Sequence, residues 1–69
     1  MIKCRLSRLL GERRMPISEL KRRTDLSYVT LHSLYHEKTA GVTFDTVDKI
    51  CESLGCNTGD LLEYVEEVE

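Results

Sequence analysis

The histidines and cysteines are the residues whose types and spacing first suggest chemistry. His32 and His36 lie four residues apart, as in a helical metal-binding pair, but no acidic residue stands between them and no third ligand is evident. Cys51 and Cys56 have four residues between them, which fits none of the structural zinc patterns. Together with Cys4 they are interpreted as reduced and mostly buried. The sequence therefore predicts no metal and no cofactor.

Nothing in the sequence indicates catalysis. No nucleophile adjoins a base, there is no glycine-rich phosphate loop, and no pair of carboxylates has a reason to share a cleft. Cys51 and Cys56 are interpreted as core residues rather than redox sensors. We therefore expect a protein that is not an enzyme.

The charges divide sharply along the chain. Residues 1–38 hold nine Lys or Arg against four Asp or Glu, whereas residues 39–69 hold one Lys against eight acidic residues. The net charge of −2 therefore hides a basic first half, which suits a polyanion, and an acidic second half that would face away from it. Ordinary solvated charge, unevenly distributed, is the alternative.

Length and composition predict one globular domain over residues 1–69, without a separate ligand domain. Of the residues, 41% are hydrophobic and 32% charged, which argues against disorder. No stretch approaches the roughly 20 apolar residues that span a bilayer, and the N-terminus has no apolar signal core. We expect a cytoplasmic protein with no membrane partner.

Apolar residues recur at helical spacing and predict an all-α fold, a compact five-helix bundle. The predicted helices cover about residues 2–13, 17–24, 28–36, 44–54 and 59–65. Phe44 begins the apolar repeat of the fourth helix, for which Thr43 is the predicted N-cap and Gly55 the terminating residue. Thr58 is the predicted N-cap of the fifth helix.

Helices two and three are joined by a predicted three-residue turn. Asp25 is expected to accept left-handed backbone, and Ser27 to cap the third helix. The third helix has an inward set and an outward set of side chains. The inward set is Leu31, Leu34 and Tyr35, and the outward set is Tyr28, Val29, His32 and Ser33.

Two short helices joined by a tight turn are the pattern of a helix-turn-helix. The run from Ile17 to His36 resembles the helix-turn-helix of the Cro/C1-type (XRE-like) family of small bacterial and phage transcriptional regulators, and residues 44–56 and 60–62 resemble its fourth and fifth helices. The resemblance extends from about Ile2 to Val65. It implies a lambda-repressor-like fold and a sequence-specific DNA-binding transcriptional regulator that reads the major groove of double-stranded DNA with helix three.

The resemblance also assigns residues to roles. The base-reading positions are Ser27, Tyr28, Val29, Thr30, His32 and Ser33, and the phosphate positions are Ser18, His36, Lys38, Thr39 and Thr43. Val29 suits a thymine methyl group, whereas His32 and Ser33 suit single hydrogen bonds. Since the base-reading set has no Gln, Asn or Arg, we expect modest specificity from each contact.

One helix with so few strong base-reading groups recognises little sequence alone, so we expect a homodimer on half-sites about 34 Å apart. A dimerisation tail is predicted at residues 61–69, where Leu61, Val65 and Val68 form a helical stripe with Tyr64 beside it. Glutamates are unfavourable at a helix C-terminus. A tail that frays or pairs as a strand is therefore kept as the alternative.

A different class of function remains open on the same fold, namely a helical protein-interaction module such as an antagonist, antitoxin partner or adaptor. Lys21 and Asp25 stand where the family usually has a small residue and a glycine, and the outward set of helix three is unusual for reading bases. Such a module would use its basic face or acidic tail on a protein partner. The salt dependence of DNA binding separates the two functions.

Overall fold

The computed structural model describes residues 1–38 and 41–66, and these form five helices and two short strands. The elements in chain order are β1 (Ile2–Cys4), α1 (Leu6–Glu12), α2 (Ile17–Thr24), α3 (Tyr28–Tyr35), α4 (Phe44–Leu54), α5 (Thr58–Leu61) and β2 (Leu62–Tyr64). The predicted number of helices is therefore confirmed in the described part of the chain. The all-α assignment is wrong only because residues 2–4 and 62–64 form strands.

The two strands pair antiparallel and join the ends of the described chain. Ile2 lies opposite Tyr64, and Cys4 lies opposite Leu62. The predicted first helix therefore begins only at Leu6, and the fifth ends at Leu61. Periodicity along the chain reports a helical face, but it contains no information about a strand partner about 60 residues away. The pairing gives backbone groups of both end segments a hydrogen-bond partner.

A core of ten buried apolar side chains lies between the helices. Its members are Leu6, Leu9, Leu10, Leu20, Leu31, Leu34, Val47, Ile50, Leu54 and Leu61. Phe44 is an exception to the predicted stripe of α4, since 93% of its surface is exposed. It occupies the first position of α4, where Thr46 and Val47 already fill the core side of the first turn and Val42 packs against the core from the preceding loop.

The helix ends follow the predicted chemistry with one shift. Asp25 has left-handed backbone at φ 59° and ψ 21°, and its N–H donates to Lys21 C=O at 2.8 Å. Gly55 ends α4 at φ 64°, where an L side chain would be strained. Asn57, rather than Thr58, precedes α5, and its N–H donates to the Asp60 carboxylate at 2.9 Å. Among the described helices, none is long and apolar enough to cross a bilayer.

Candidate nucleic-acid interface

Helix α3 is anchored on one side and open on the other. Leu31 and Leu34 lie in the core, whereas Tyr28 is 49% and Val29 74% exposed. His32 and Ser33 are half-buried on the same outer side. Because residues four apart share a helix face, the outer surface has two rows, Tyr28 with His32 and Val29 with Ser33. Because Leu31 and Leu34 fix one side of α3 against the core, a macromolecule that binds this helix would contact the side chains of the opposite side.

The N-terminus of α3 is held by two hydroxyl groups. Ser27 Oγ accepts a hydrogen bond from Thr30 N–H at 3.2 Å and donates to Thr30 Oγ1 at 2.8 Å. The two hydroxyl groups are thus hydrogen-bonded to each other within the cap, and this bond uses one of their two protons.

A shallow groove separates α3 from the beginning of α4. Its lining residues are Val29, Thr30, Ser33, Leu34, Gly41, Val42, Thr43 and Thr46. Three positions assigned to base reading and one assigned to phosphate contact therefore meet along one surface. Thr43 caps α4 as Ser27 caps α3, since its Oγ1 accepts from Thr46 N–H at 3.2 Å and donates to Thr46 Oγ1 at 3.0 Å.

A row of rings runs along the other side of the α3 face. The centroids of Tyr28 and His32 lie 5.6 Å apart, and those of His32 and His36 lie 4.4 Å apart. Tyr35 meets His36 edge to face at 5.0 Å. The i, i+4, i+8 spacing of Tyr28, His32 and His36 indicates such a row in the sequence, although no ring contacts between them were predicted from it. In the described residues no group of three His, Cys, Asp or Glu side chains could hold a metal ion.

The N-terminus of α2 offers open backbone donors. Pro16 precedes the helix without a side-chain cap, and its C=O accepts from the N–H groups of Glu19 and Leu20. The N–H groups of Ile17 and Ser18 have no acceptor within the described residues, and Ser18 is exposed. Unsatisfied N–H groups at a helix N-terminus, with the positive end of the helix dipole, favour an anion such as phosphate.

The cations near α3 differ in how strongly they are already paired. Arg22 and Arg23 both approach Glu19, at 3.3 and 3.8 Å. Lys21 and Lys38 are exposed and make no ion pair with any described residue. Lys38 N–H also donates to Ser33 C=O at 2.8 Å, which holds the residue at the C-terminus of α3. Lys21 and Lys38 are thus available to meet a polyanion, since no carboxylate of the described residues pairs with them.

The predicted dimerisation stripe is not a helical stripe. Leu61 is only 1% exposed and belongs to the core, so its assignment to a dimer surface is wrong. Tyr64 lies in β2 and is 70% exposed, and Val65 follows it. The strand alternative therefore describes the beginning of the tail. Val68, like the predicted phosphate residue Thr39, lies outside the described residues.

Comparison with known proteins identifies the family. The family model of the Cro/C1-type helix-turn-helix DNA-binding domain matches residues 5–67. The chain is also 34% identical over 56 residues to the uncharacterised HTH-type transcriptional regulator YozG of Bacillus subtilis strain 168, covering 81% of this chain and 67% of that protein. No solved structure gives a significant match. The chain therefore belongs to the Cro/C1-type helix-turn-helix family of DNA-binding transcriptional regulators.

Proposed function

We propose that this regulator reads operator DNA by placing the outer face of α3 in the major groove. The observation that carries the proposal is the division of α3 into a buried side, with Leu31 and Leu34, and an outer side, on which Val29 is exposed and Ser33 half-buried. The major groove is about 12 Å wide and admits one helix. Since α2 packs against α3, the reading helix enters the groove on a rigid support.

The side chains on this face define a weak reading set. Val29 contacts a thymine methyl group, while Thr30, His32 and Ser33 each make a single hydrogen bond to a base edge. Ser27 and Tyr28, at the beginning of the same face, complete the set of residues that we assign to base reading. Without a bidentate Arg, Asn or Gln, discrimination depends on several small contacts together.

The backbone of the DNA is held on both sides of α3. On one side the free N–H groups of Ile17 and Ser18 face a phosphate. On the other side we assign phosphate contacts to His36, Lys38, Thr39 and Thr43. These contacts set the register of the helix on the duplex without reading sequence.

The salt dependence of binding tests this proposal against a role in protein recognition. Each neutralised phosphate contributes about −0.9 to the slope of log K against log salt, so about three to five contacts per monomer lower affinity by more than about tenfold between about 50 and 200 mM salt. Lys38→Gln should remove about one phosphate contact, so the slope of log K against log salt should become less negative by about 0.9. Lys49→Gln is the matched control, because Lys49 already pairs with Asp45 at 3.3 Å. Affinity independent of salt would contradict the proposal.

We further propose that two copies bind neighbouring half-sites and meet through the terminal sheet. Ile2 and Tyr64 are cross-strand partners, so their side chains lie on the sheet face that also carries Cys4 and Leu62. Cys4 and Leu62 pack against the core, whereas Ile2 and Tyr64 remain 63% and 70% exposed. The apolar face thus extends past the edge of the core, and a second copy would cover it.

Sedimentation with and without operator DNA tests the dimer. Tyr64→Thr keeps strand propensity but removes the exposed ring, and we expect it to weaken self-association on DNA at least about tenfold. Lys3→Thr is the control, since Lys3 lies on the opposite face of the same sheet. Monomeric behaviour of the parent, free and on DNA, would exclude the dimer.

One observation favours a protein partner as a second function. Phe44 is almost fully exposed at the edge of an apolar groove that includes Val42, Cys51 and Leu62. Phe44→Ser should leave DNA affinity unchanged, because the ring lies outside the residues assigned to DNA. If that variant loses DNA binding while it stays folded, the groove belongs to the DNA interface and the partner surface is excluded.

A further inference from the structure

Cys51 and Cys56 form the contact that closes the carboxyl end of α4. Gly55 has left-handed backbone, and Cys56 N–H donates to Cys51 C=O at 3.1 Å. This is the six-to-one hydrogen bond of a Schellman motif, in which the side chains flanking the turn frequently meet. Here the two residues that flank the turn are both cysteines. The backbone hydrogen bond between them therefore brings their thiol side chains to the same end of α4.

Both thiols are free and only half-buried. Cys51 also lines the surface groove between α4 and β2, so small molecules can approach it. Cys4 is likewise free and half-buried, but its neighbour is Glu37, whose carboxylate accepts from Cys4 N–H at 3.0 Å. The chain thus contains one thiol pair and one single thiol, which serves as an internal control.

We propose that Cys51 and Cys56 are a dithiol modification site that low-molecular-weight disulfides convert to an internal disulfide. The thiolate of one cysteine attacks a sulfur of the reagent RSSR, which forms a mixed disulfide and releases one RSH. The second cysteine then attacks the protein sulfur of the mixed disulfide and releases the second RSH. The protein loses two hydrogen atoms as two protons and two electrons, and RSSR is reduced to two RSH.

The surroundings of the pair set its pH dependence. Burial raises the pKa of the Cys56 thiol, and the adjacent Cys51 thiol raises it further. Arg13, after the end of α1, lowers this pKa, whereas Asp60 on α5 raises it. Because the thiolate is the attacking species, exchange accelerates as pH rises above neutrality.

The location of the bond separates it from the DNA-binding proposal. The disulfide would join the last turn of α4 to the segment before α5, whose Leu61 enters the core. None of the residues assigned to DNA lies within the segment that it closes. The disulfide proposal can therefore fail without affecting the DNA-binding proposal, and the reverse also holds.

Oxidation of the reduced chain of residues 1–69 by oxidised glutathione at about pH 8.5 tests the site. Intact mass spectrometry should show the loss of roughly 2 Da, the mass of two hydrogen atoms, and peptide mapping should link Cys51 to Cys56. Cys4→Ser should react in the same way. Cys51→Ser should instead retain glutathione on Cys56, since no second thiol resolves the mixed disulfide.

A comparison with the chain unfolded in urea shows whether the fold brings the two cysteines together or whether their closeness in sequence is sufficient. The equilibrium constant for disulfide formation in glutathione buffer should be at least about tenfold larger for the folded chain than for the chain in urea. An equal or smaller constant in the folded chain would overturn the proposal. Stable glutathione adducts on both cysteines of the parent, or a bond to Cys4, would also overturn it.

Discussion

Helix α3 and the terminal sheet are both short elements, but their partners lie at very different distances along the chain. Helix α3 is begun by Ser27, braced by the adjacent α2 and anchored by Leu31 and Leu34. The sheet instead pairs residues 2–4 with residues 62–64. Local contacts thus position the reading helix, whereas the sheet forms only when the chain ends meet.

The two regions also present different surfaces. The outer face of α3 carries hydroxyl groups and rings beside unpaired lysines, which suits a hydrated polyanion. The sheet carries Ile2 and Tyr64, exposed and apolar, which suits another protein surface. Damage to α3 should therefore affect DNA binding first, and damage to the sheet should affect stability and self-association.

The largest expected effect comes from the buried side of α3. Leu31→Ala removes a side chain with no exposed surface and should lower the free energy of unfolding by about 2–5 kcal/mol. Thermal or urea unfolding measures the loss. Leu34→Ala should behave similarly, and retention of parental stability by both variants would contradict the anchored position of α3.

A charge on the outer side of α3 should separate binding from folding. Ser33→Glu places a carboxylate on the groove between α3 and α4 and should weaken operator binding by about 2 kcal/mol or more, through lost contacts and repulsion from phosphates. Unfolding measurements should show a stable fold. Glu52→Gln, on the exposed side of α4, is a control that changes charge away from α3. Parental affinity of folded Ser33→Glu would remove α3 from the interface.

Removal of a single backbone hydrogen bond tests how much the end of the sheet contributes to stability. Val65→Pro removes the N–H that donates to Met1 C=O at 2.7 Å and should cost about 1 kcal/mol of stability. Val65→Ala keeps this donor and is the matched control. Equal unfolding curves for the two variants would show that the end of the sheet contributes little.

The smallest expected effect on stability is that of Tyr28→Ala. Because about half of this side chain is exposed, stability should change by less than about 0.5 kcal/mol. DNA affinity should fall measurably, since Tyr28 belongs to one of the two rows assigned to base reading. If both Tyr28→Ala and Ser33→Glu bind a selected operator as well as the parent does, recognition of a protein partner becomes the better explanation.

Much of the helix-turn-helix could be predicted because its signals are local. Each signal involves residues that are close together in the chain. The structure confirms the left-handed backbone of Asp25, the Ser27 cap, and the burial of Leu31 and Leu34. The chemical roles of the outward residues remain predictions. The hydroxyl pair of Ser27 and Thr30 could have been anticipated from the capping position, because an N-cap hydroxyl reaches the residue three positions later.

The sequence by itself determined the five helices, the buried leucines and the turn before α3, since each follows from apolar periodicity or from the backbone preference of one residue. Only the tertiary structure decided the secondary structure of Ile2 and the burial of Phe44 and Leu61. Ile2 entered a strand because Tyr64 lies opposite it, Leu61 turned into the core, and Phe44 remained outside because Val47 and Val42 already covered that side. These outcomes depend on partners distant in sequence, and a periodic pattern records which residues share a face without recording what covers it.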